Sequence, residues 1–156
     1  MLSKSAQSVQ DVLSKKGIDA KVIELPASTR TAIDAAKTIG CEVAQIVKSL
    51  IFRTKHTNKP ILVLASGSNR VDEKLIAQAA GEEIVKADAD FTREVTGFAI
   101  GGIPPVGHTQ KIETFIDEDL LKLEELWAAA GTPNAVFNLD PAVLASLTEG
   151  KVIAIK

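Results

Sequence analysis

The spacing of apolar residues predicts amphipathic helices at several places in the chain. Within residues 3–16, Ala6, Val9 and Leu13 recur every three or four positions, as they would along one face of a helix, and Gly17 can end that helix. Elsewhere the signal comes from residues that cap or stop helices. Helices are predicted in this way at residues 31–40, 72–81 and from Asp140-Pro141 onward. A further short helix is predicted at 88–95, and propensity alone favours a helix at 118–131.

Shorter apolar runs, bounded by turn residues, predict strands. The runs 47–54 and 61–66 flank the polar segment 55–60, so we expect them to form a hairpin. Because hairpins interrupt the alternation of helices and strands, the pattern favours a mixed sheet with packed helices over a doubly wound parallel sheet. The other predicted strands are residues 20–25, 96–100, 111–116, 134–139 and 151–156.

The composition is that of an ordinary globular protein. Of the 156 residues, 46% are hydrophobic and 24% are charged, which argues against disorder and predicts a single domain, residues 1–156, with its own core. The one cysteine, Cys41, cannot form an internal disulfide and suits a reducing compartment. The N-terminus lacks the apolar core of a signal peptide, and no apolar run approaches the ~20 residues of a membrane helix. We therefore expect a cytoplasmic protein with no membrane partner.

The net charge of −2 limits how the chain can contact nucleic acid. A protein that coats nucleic acid through its overall field is normally basic. Any contact with nucleic acid is therefore expected to use a local patch or one end of the molecule, and DNA is not an expected partner.

The sequence contains no recognisable metal or cofactor motif. The two histidines, His56 and His108, and the single cysteine do not stand at ligand spacing. Neither G-x-G-x-x-G nor G-K-[ST] occurs, and ASGSN at residues 65–69 is not the G-x-S-x-G elbow of a serine hydrolase. We therefore expect no bound metal, no cofactor and no serine nucleophile.

Lys48, in the segment AQIVKSLIF, is the first candidate for chemistry. Alternation along a strand puts its side chain on the face shared by Leu50 and Phe52. A lysine there is unfavourable unless its ammonium group reaches water or a partner. Two interpretations stay open on this feature alone: a functional cation, or a lysine near a strand end with a buried stem and a solvated head.

The second candidate is the loop GGIPPVGH, residues 101–108. Glycine lets peptide N–H groups approach a ligand closely, and proline fixes the path of the chain. Pro104 and Pro105 have no N–H, so donors aimed at an oxyanion would come from other positions of the loop. The alternative is a purely structural turn. The candidate donors are Gly101, Gly102, Ile103, Val106 and Gly107.

Taken together, three segments resemble one family. They are Lys48 in VKSLIFR, TGFAIGGIPPVGH at 96–108 and AGTPNAVFNLDP at 130–141. Nearly the whole chain is similar to the YbaK/ProX-like trans-editing deacylases, free-standing relatives of the editing insertion domain of bacterial prolyl-tRNA synthetase. Gly101-x-x-x-Pro105 matches the family's G-x-x-x-P loop, and Lys48 matches its essential lysine.

The resemblance implies an α+β fold, a single domain with a central, strongly curved mixed sheet and packed helices. It also implies a strand at residues 125–130, after a short helix near 118–122, in place of one long helix. The implied activity is hydrolysis of the ester that joins a wrong amino acid to the 3'-terminal ribose of a tRNA, with water as the attacking group. Preorganised N–H donors would stabilise the oxyanion that forms. The residues expected to be catalytic are Lys48, Gly101, Gly102 and Ile103.

Such a reaction needs only the acceptor end of a tRNA, which agrees with the lack of a basic overall charge. His108 resembles the branches that edit alanine, serine or threonine, whereas the best-known cysteine-editing members tend to carry glutamine there. We therefore expect a small amino acid such as Ala, Ser or Thr rather than Cys, and an aminoacyl-tRNA synthetase is a further candidate partner. The expected substrate-binding residues are Thr29, Thr31, Gln45, Ser49, Pro105, Gly107 and His108, and the expected tRNA patch is Lys48, Arg53, Lys55, Arg70 and Lys111.

Two alternatives to a tRNA deacylase stay open at this point. One is a module that binds aminoacyl-tRNA or a synthetase without hydrolysing anything. The other is a hydrolase of some other small aminoacyl ester. The intact Lys48 and Gly101–Pro105 motifs weigh against a degenerate pocket.

Overall fold

The computed structural model describes residues 2–29 and 31–156. Within these ranges a mixed sheet of eight strands carries five α-helices and two short 3-10 helices, which confirms the expected fold class. The α-helices are α1 (Lys4–Lys15), α2 (Ala32–Ile39), α3 (Glu73–Ala80), α4 (Ala89–Thr96) and α5 (Pro141–Thr148), and the 3-10 helices are Val43–Gln45 and Glu118–Lys122. The strands are β1 (Ile23–Glu24), β2 (Ile46–Thr54), β3 (Pro60–Ser66), β4 (Ile84–Lys86), β5 (Glu113–Asp117), β6 (Leu126–Ala129), β7 (Ala135–Leu139) and β8 (Lys151–Ile153).

Strand β2 lies in the middle of the sheet, whose strand order is β1-β7-β6-β2-β3-β5-β8. The hairpin expected between β2 and β3 is confirmed, with Val47 opposite Ser66 and Arg53 opposite Pro60. Strands β3 and β5 run parallel, as do β5 and β8, so parallel and antiparallel pairs occur in the same sheet.

The edge of β2 that faces away from β3 is divided between two shorter strands. Strand β6 pairs with its beginning, at Ile46 and Val47, and β4 pairs with its end, from Phe52 to Thr54. In the part of the chain that the structure describes, no strand pairs with residues 48–51 on this edge. The sheet therefore has a gap beside Lys48.

The helices cover both faces of the sheet and bury two main apolar clusters. One cluster contains Val47 and Ile51 of β2 and is covered by residues of α1 and α5. The other contains Phe52, with Leu50 packed against it, and is covered by α3 through Ile76. No helix in residues 2–29 and 31–156 is long and apolar enough to cross a membrane.

The strand predicted at residues 96–100 is wrong. Helix α4 continues to Thr96, and Gly97 ends it in a left-handed conformation with φ 83°, donating its N–H to the Arg93 carbonyl at 2.8 Å. Glycine adopts this conformation readily, so it redirects the chain away from the helix axis. Beyond it, Phe98 is buried in the core whereas Ile100 is 54% exposed. The segment from 97 to 112 is a loop.

Other predicted elements differ from the structure in extent or in kind. The strands predicted at 20–25 and 151–156 shrink to β1 and β8, because each pairs with a single neighbour over two or three residues. Strand β4 was not predicted, because a strand of three residues is too short for the alternation of apolar and polar residues to be recognised. The long helix that propensity favours at 118–131 is replaced by a 3-10 helix and β6, as the family resemblance implies.

Candidate active site

Two adjoining cavities open along β2, at the gap in its edge. The first cavity has a volume of about 320 Å³ and is walled by α2, the beginnings of β2 and β6, and the loop after α4. The second has a volume of about 370 Å³ and lies toward the end of β2, next to the start of α3 and to α4. Both volumes are in the range of small-molecule sites. The residues that line both cavities are Lys48, Ser49, Leu50, Ile100 and Ile103.

Lys48 lies at the junction of the two cavities and is half-buried. Its Nζ donates a hydrogen bond of 2.6 Å to the main-chain carbonyl of Asn69. Burial lowers the pKa of the ammonium group, and the negative charge of Asp117 partly opposes this effect. An ammonium group has three N–H donors, so two remain for a ligand after the bond to Asn69.

A buried polar network holds the Asn69 carbonyl in place. Asp117 is 1% exposed, and its Oδ2 accepts hydrogen bonds from the Ser66 main-chain N–H at 3.0 Å and from Asn69 Nδ2 at 2.8 Å. Asn69 Nδ2 also donates to Asp119, at 2.8 Å. Hydrogen bonds from Asn69 and Lys122 lower the pKa of Asp119 to about 2, so this acceptor is ionised at neutral pH. The network fixes the group that orients Lys48.

Sequence reasoning did not find this network. Asp117 ends a strand and Asn69 follows another, but parallel pairing of β3 with β5 is what brings them together. The one available signal is Asp117 itself, an acidic residue that directly follows the apolar run Phe115-Ile116. A carboxylate in that position is buried only if donors surround it.

The loop after α4 begins with a tight turn that presents Gly101 to the first cavity. The Gly102 N–H donates to the Ala99 carbonyl at 3.1 Å, and Gly101 adopts φ 98°. Gly101 and Ile103 line the first cavity, and within residues 2–29 and 31–156 their N–H groups have no hydrogen-bond acceptor. Two of the expected donors, those of Gly101 and Ile103, are therefore free beside Lys48.

Gly102, by contrast, packs against another backbone segment and does not face the cavities. Its N–H is used within the turn, its carbonyl accepts from Gly131 N–H at 2.8 Å, and it does not line either cavity. A Cβ atom on Gly102 would lie 2.8 to 2.9 Å from main-chain atoms of Thr132. Only glycine fits this close approach of two backbone segments.

The rest of the loop shapes the site without lining it. Pro105, Gly107 and His108 line neither cavity. The Nε2 atom of His108 lies 2.7 Å from the Pro104 carbonyl, closing the loop on itself, and burial lowers the pKa of this imidazole. The geometry gives His108 a role in holding the loop.

Of the residues expected to bind the substrate, three with hydroxyl groups line the first cavity: Thr29, Thr31 and Ser49. The Thr29 hydroxyl donates to the Pro133 carbonyl at 2.8 Å, and the Thr31 hydroxyl caps α2 by accepting from the Asp34 N–H at 3.1 Å. Gln45 does not line the cavity, since its side chain accepts from the Glu42 N–H at 2.9 Å and donates to the Glu125 carbonyl at 3.3 Å.

Ser49 differs from these residues because its hydroxyl has no hydrogen-bond partner in the part of the chain that the structure describes. The Oγ atom is buried and makes no hydrogen bond to any described residue. Ser49 lines both cavities beside Lys48. A buried hydroxyl without a partner is unfavourable, so a ligand group that pairs with it would be bound more tightly.

Of the five basic residues expected to contact tRNA, the structure brings two together. Lys48 and Arg70 line the second cavity, and Lys86, which sequence reasoning missed, joins them there. The other three basic residues line neither cavity and have partners of their own. These pairs are Arg53 with Asn58 at 3.0 Å, Lys55 with Glu83 at 3.2 Å and Lys111 with Glu149 at 3.9 Å.

Comparisons with known proteins agree on one family. The model of the aminoacyl-tRNA editing domain matches residues 26–147. The chain is 30% identical over 148 residues to "Uncharacterized protein YwhH" of Bacillus subtilis, covering 95% of this chain and 94% of that protein. It is 27% identical over 125 residues to the "Putative Cys-tRNA(Pro)/Cys-tRNA(Cys) deacylase EbsC" of Enterococcus faecalis, covering 78% and 74%. A crystal structure of "a putative trans-editing enzyme for prolyl tRNA synthetase" is similar with a TM-score of 0.94, at 47% identity, covering 100% of this chain and 99% of that one.

Proposed function

The chain belongs to the aminoacyl-tRNA editing domain family, and from this premise we propose that it hydrolyses the ester between a small amino acid and the 3'-terminal ribose of a tRNA. One observation carries the proposal: Lys48, Gly101 and Ile103 line the same cavity, and the N–H groups of Gly101 and Ile103 have no acceptor among the described residues. A cation and two free N–H donors beside one cavity suit a reaction in which negative charge develops on a carbonyl oxygen.

The proposed reaction is direct attack by water. The water oxygen forms a bond to the ester carbonyl carbon, and the carbonyl oxygen becomes an oxyanion that accepts hydrogen bonds from Gly101 N–H, Ile103 N–H or Lys48 Nζ. The bond from that carbon to the ribose 3'-oxygen then breaks. The ribose oxygen takes the proton that the water loses, so the products are a free amino acid and a tRNA with its terminal hydroxyl restored.

The proposal gives Lys48 an electrostatic role. The charged ammonium donates the hydrogen bond to the Asn69 carbonyl, and this bond holds the ammonium at the junction of the cavities. The adjacent ribose hydroxyl of the substrate is a candidate to orient the attacking water, since no histidine or carboxylate is found among the described residues that line the first cavity. The substrate itself would then supply part of the catalytic machinery.

The first cavity supports a small amino acid, with alanyl, seryl and threonyl esters preferred to prolyl and cysteinyl ones. Its walls are largely aliphatic, and the buried side-chain hydroxyl of Ser49 there has no hydrogen-bond partner among the described residues. A seryl or threonyl hydroxyl can pair with that oxygen, and an alanyl side chain is short enough to admit a water beside it. A prolyl ring would cover Ser49 Oγ and leave it unpaired, which is the kind of penalty that separates substrates strongly.

A competition assay tests this proposal. Alanyl-, seryl-, threonyl-, cysteinyl- and prolyl-tRNA are mixed at equal concentration with the wild-type protein, and loss of each ester is followed over time. We expect the alanyl, seryl or threonyl ester to be cleaved first, with prolyl-tRNA spared. Selective cleavage of the cysteinyl or prolyl ester would contradict the proposed preference, and failure to cleave any ester would contradict the proposed function.

A further inference from the structure

Asp117 is a buried carboxylate that takes no direct part in the proposed reaction. It is 1% exposed, and in the part of the chain that the structure describes it is the one charged residue that is buried. Its hydrogen-bond donors there are all neutral: the main-chain N–H groups of Ser66 at 3.0 Å and Asp119 at 2.9 Å, and Asn69 Nδ2 at 2.8 Å. Burial of a charge is costly, so a neutral acceptor would meet these donors with a smaller desolvation penalty.

The strand register places Asp117 on the same face of the sheet as Lys48. Lys48 pairs with Ala65 across β2 and β3. Leu64 pairs with Ile116 across the parallel strands β3 and β5, and Asp117 is the next residue of β5. Because side chains alternate along a strand, Lys48, Ala65 and Asp117 share one face. Neighbouring strands are about 4.8 Å apart, so the backbones of Lys48 and Asp117 are separated by roughly 10 Å.

Asn69 connects the two residues because it bonds to both of them. Its main-chain carbonyl accepts a hydrogen bond of 2.6 Å from Lys48 Nζ, and its side-chain amide donates to Asp117 at 2.8 Å. The Asn69 N–H donates to the Ser66 carbonyl at 2.9 Å, and the Ser66 N–H in turn donates to Asp117. Asp117 therefore holds both ends of the segment that presents the carbonyl to Lys48.

Asp117 is also the enclosed charge that acts on Lys48. Burial lowers the pKa of Lys48, and the negative charge of Asp117 opposes this by raising it. Asp119, the other carboxylate bonded to Asn69, is paired with Lys122 at 3.0 Å and Lys156 at 3.4 Å. Charges that are exposed to water are screened more than enclosed ones. The remaining charged residues that line the cavities beside Lys48 are all exposed: Arg70, Glu73 and Lys86.

We propose that Asp117 is a positioning residue for the proposed reaction: through Asn69 it holds the Lys48 ammonium at the junction of the cavities, and its charge keeps that ammonium protonated. In this role Asp117 contacts neither the substrate nor the reacting atoms. The inference rests on the proposed function for its effect on rate, whereas the effect on Lys48 can be measured without a substrate. A purely structural carboxylate would contribute to stability and leave the protonation of Lys48 unchanged.

An NMR titration of the Lys48 side chain tests the effect of the charge. The signal is assigned by its absence in Lys48→Met and is followed from neutral to alkaline pH in the wild type and in Asp117→Asn, which keeps the shape of the side chain. We expect the midpoint of the Lys48 titration to move to lower pH in Asp117→Asn, because the charged form loses an opposite charge. An unchanged midpoint in folded Asp117→Asn would overturn the proposal.

Asp140→Asn is the matched control for this titration. Asp140 accepts a hydrogen bond from the N–H two residues further on, that of Ala142 at 3.0 Å, just as Asp117 accepts from Asp119. It is exposed and lines neither cavity. The control should therefore leave the Lys48 midpoint, kcat and KM as they are in the wild type.

Steady-state deacylation tests the positioning. At neutral pH we expect Asp117→Asn to lower kcat at least about 10-fold and to change KM less than about 2-fold, because the misplaced ammonium stabilises the transition state less. Asn69→Ala keeps the charge of Asp117 but removes the link, so it should lower kcat similarly and move the Lys48 midpoint less. Folded Asn69→Ala with wild-type kcat would overturn the positioning role, and this variant decides the matter if Asp117→Asn does not fold.

The positioning role and the proposed function fail in different ways. If the wild type cleaves no ester but Asp117→Asn lowers the midpoint of the Lys48 titration, the proposed function is wrong and the action of Asp117 on Lys48 stands. If the wild type cleaves aminoacyl-tRNA and folded Asp117→Asn has the wild-type midpoint and kcat, the positioning role is wrong and the proposed function stands.

Discussion

Replacing Gly102 by alanine is expected to damage the site by moving backbone, without touching the substrate. The added Cβ would lie 2.8 Å from the Thr132 carbonyl carbon and 2.9 Å from its Cα and N atoms, where ordinary contact begins at 3.4 Å. The obstacle is main chain, so a side-chain rotation cannot relieve the overlap. One of the two backbone segments has to shift by roughly half an ångström.

The Thr132 segment is held firmly, so the loop is the part expected to move. Gly131 N–H donates to the Gly102 carbonyl at 2.8 Å, and the Thr132 hydroxyl donates to Asn134 at 3.0 Å. Forcing an extra methyl group into such a packed position typically destabilises a protein by about 1–3 kcal/mol. A shift of Gly102 carries Gly101 and Ile103 with it, so we also expect at least about 10-fold lower kcat/KM on the preferred mischarged tRNA, because misplaced donors lose transition-state stabilisation.

The measurement is chemical denaturation together with single-turnover deacylation, with Gly17→Ala as the matched control. Gly17 also has a positive φ, 74°, but a Cβ there would meet no atom within 4 Å. The control should lose only about 1 kcal/mol from backbone strain and keep its activity. A Gly102→Ala variant with wild-type stability and wild-type turnover would refute the close approach on which this reasoning depends.

Three further predictions follow from the same geometry. Ser49→Ala should leave the free energy of unfolding unchanged or raise it by up to about 1 kcal/mol, because the hydroxyl has no partner, while kcat/KM falls about 10-fold for the seryl ester relative to the alanyl ester. Since burial lowers the pKa of Lys48 below 10.5, enzyme-dependent deacylation should decline at alkaline pH with an apparent pKa below 10.5. Lys48→Arg should not show that decline, because the guanidinium group stays charged. The free energy of unfolding of the wild type, relative to that of Lys48→Met, should rise as the pH increases from the lowered pKa of Lys48 to 10.5, because the folded protein then no longer buries a charged ammonium group. His108→Ala should cost about 1 kcal/mol of stability through the lost contact with the Pro104 carbonyl and slow cleavage of all esters alike, whereas a change in amino acid preference would show that His108 contacts the substrate.

The sequence was sufficient for most elements of the fold because the local signals agree with the tertiary structure. Capping residues such as Thr31 and Asp72 mark helix starts that the structure confirms, with side-chain bonds to Asp34 and Lys74 N–H groups. The prediction of a strand at 96–100 was wrong because Gly97 ends helix α4 there, and the apolar pattern alone does not show where that helix ends. The 118–131 segment shows the converse, since sheet pairing of β6 overrides helix propensity there.

The same distinction applies to the candidate site: residues with an unusual local sequence could be predicted, and residues whose role depends on distant contacts could not. Lys48 and Gly101 could be chosen from the sequence because a cation in an apolar strand and a glycine-proline loop are unusual locally. The role of Gly102 could not, since its partner Thr132 is thirty residues away along the chain and meets it only in the folded structure. Asn69, which orients Lys48, was missed for the same reason: it acts through its main-chain carbonyl, a group every residue has.

Single-turnover deacylation of alanyl-tRNA by wild type and Lys48→Met shows whether the Lys48 charge takes part in ester hydrolysis. The spontaneous loss of the ester is subtracted, and circular dichroism establishes that both proteins are folded. We expect rapid deacylation by the wild type and a rate at least about 100-fold lower for Lys48→Met, because the variant keeps the shape of the side chain but removes its charge from the transition state. If folded Lys48→Met deacylated alanyl-tRNA as fast as the wild type, the Lys48 charge would have no part in the reaction.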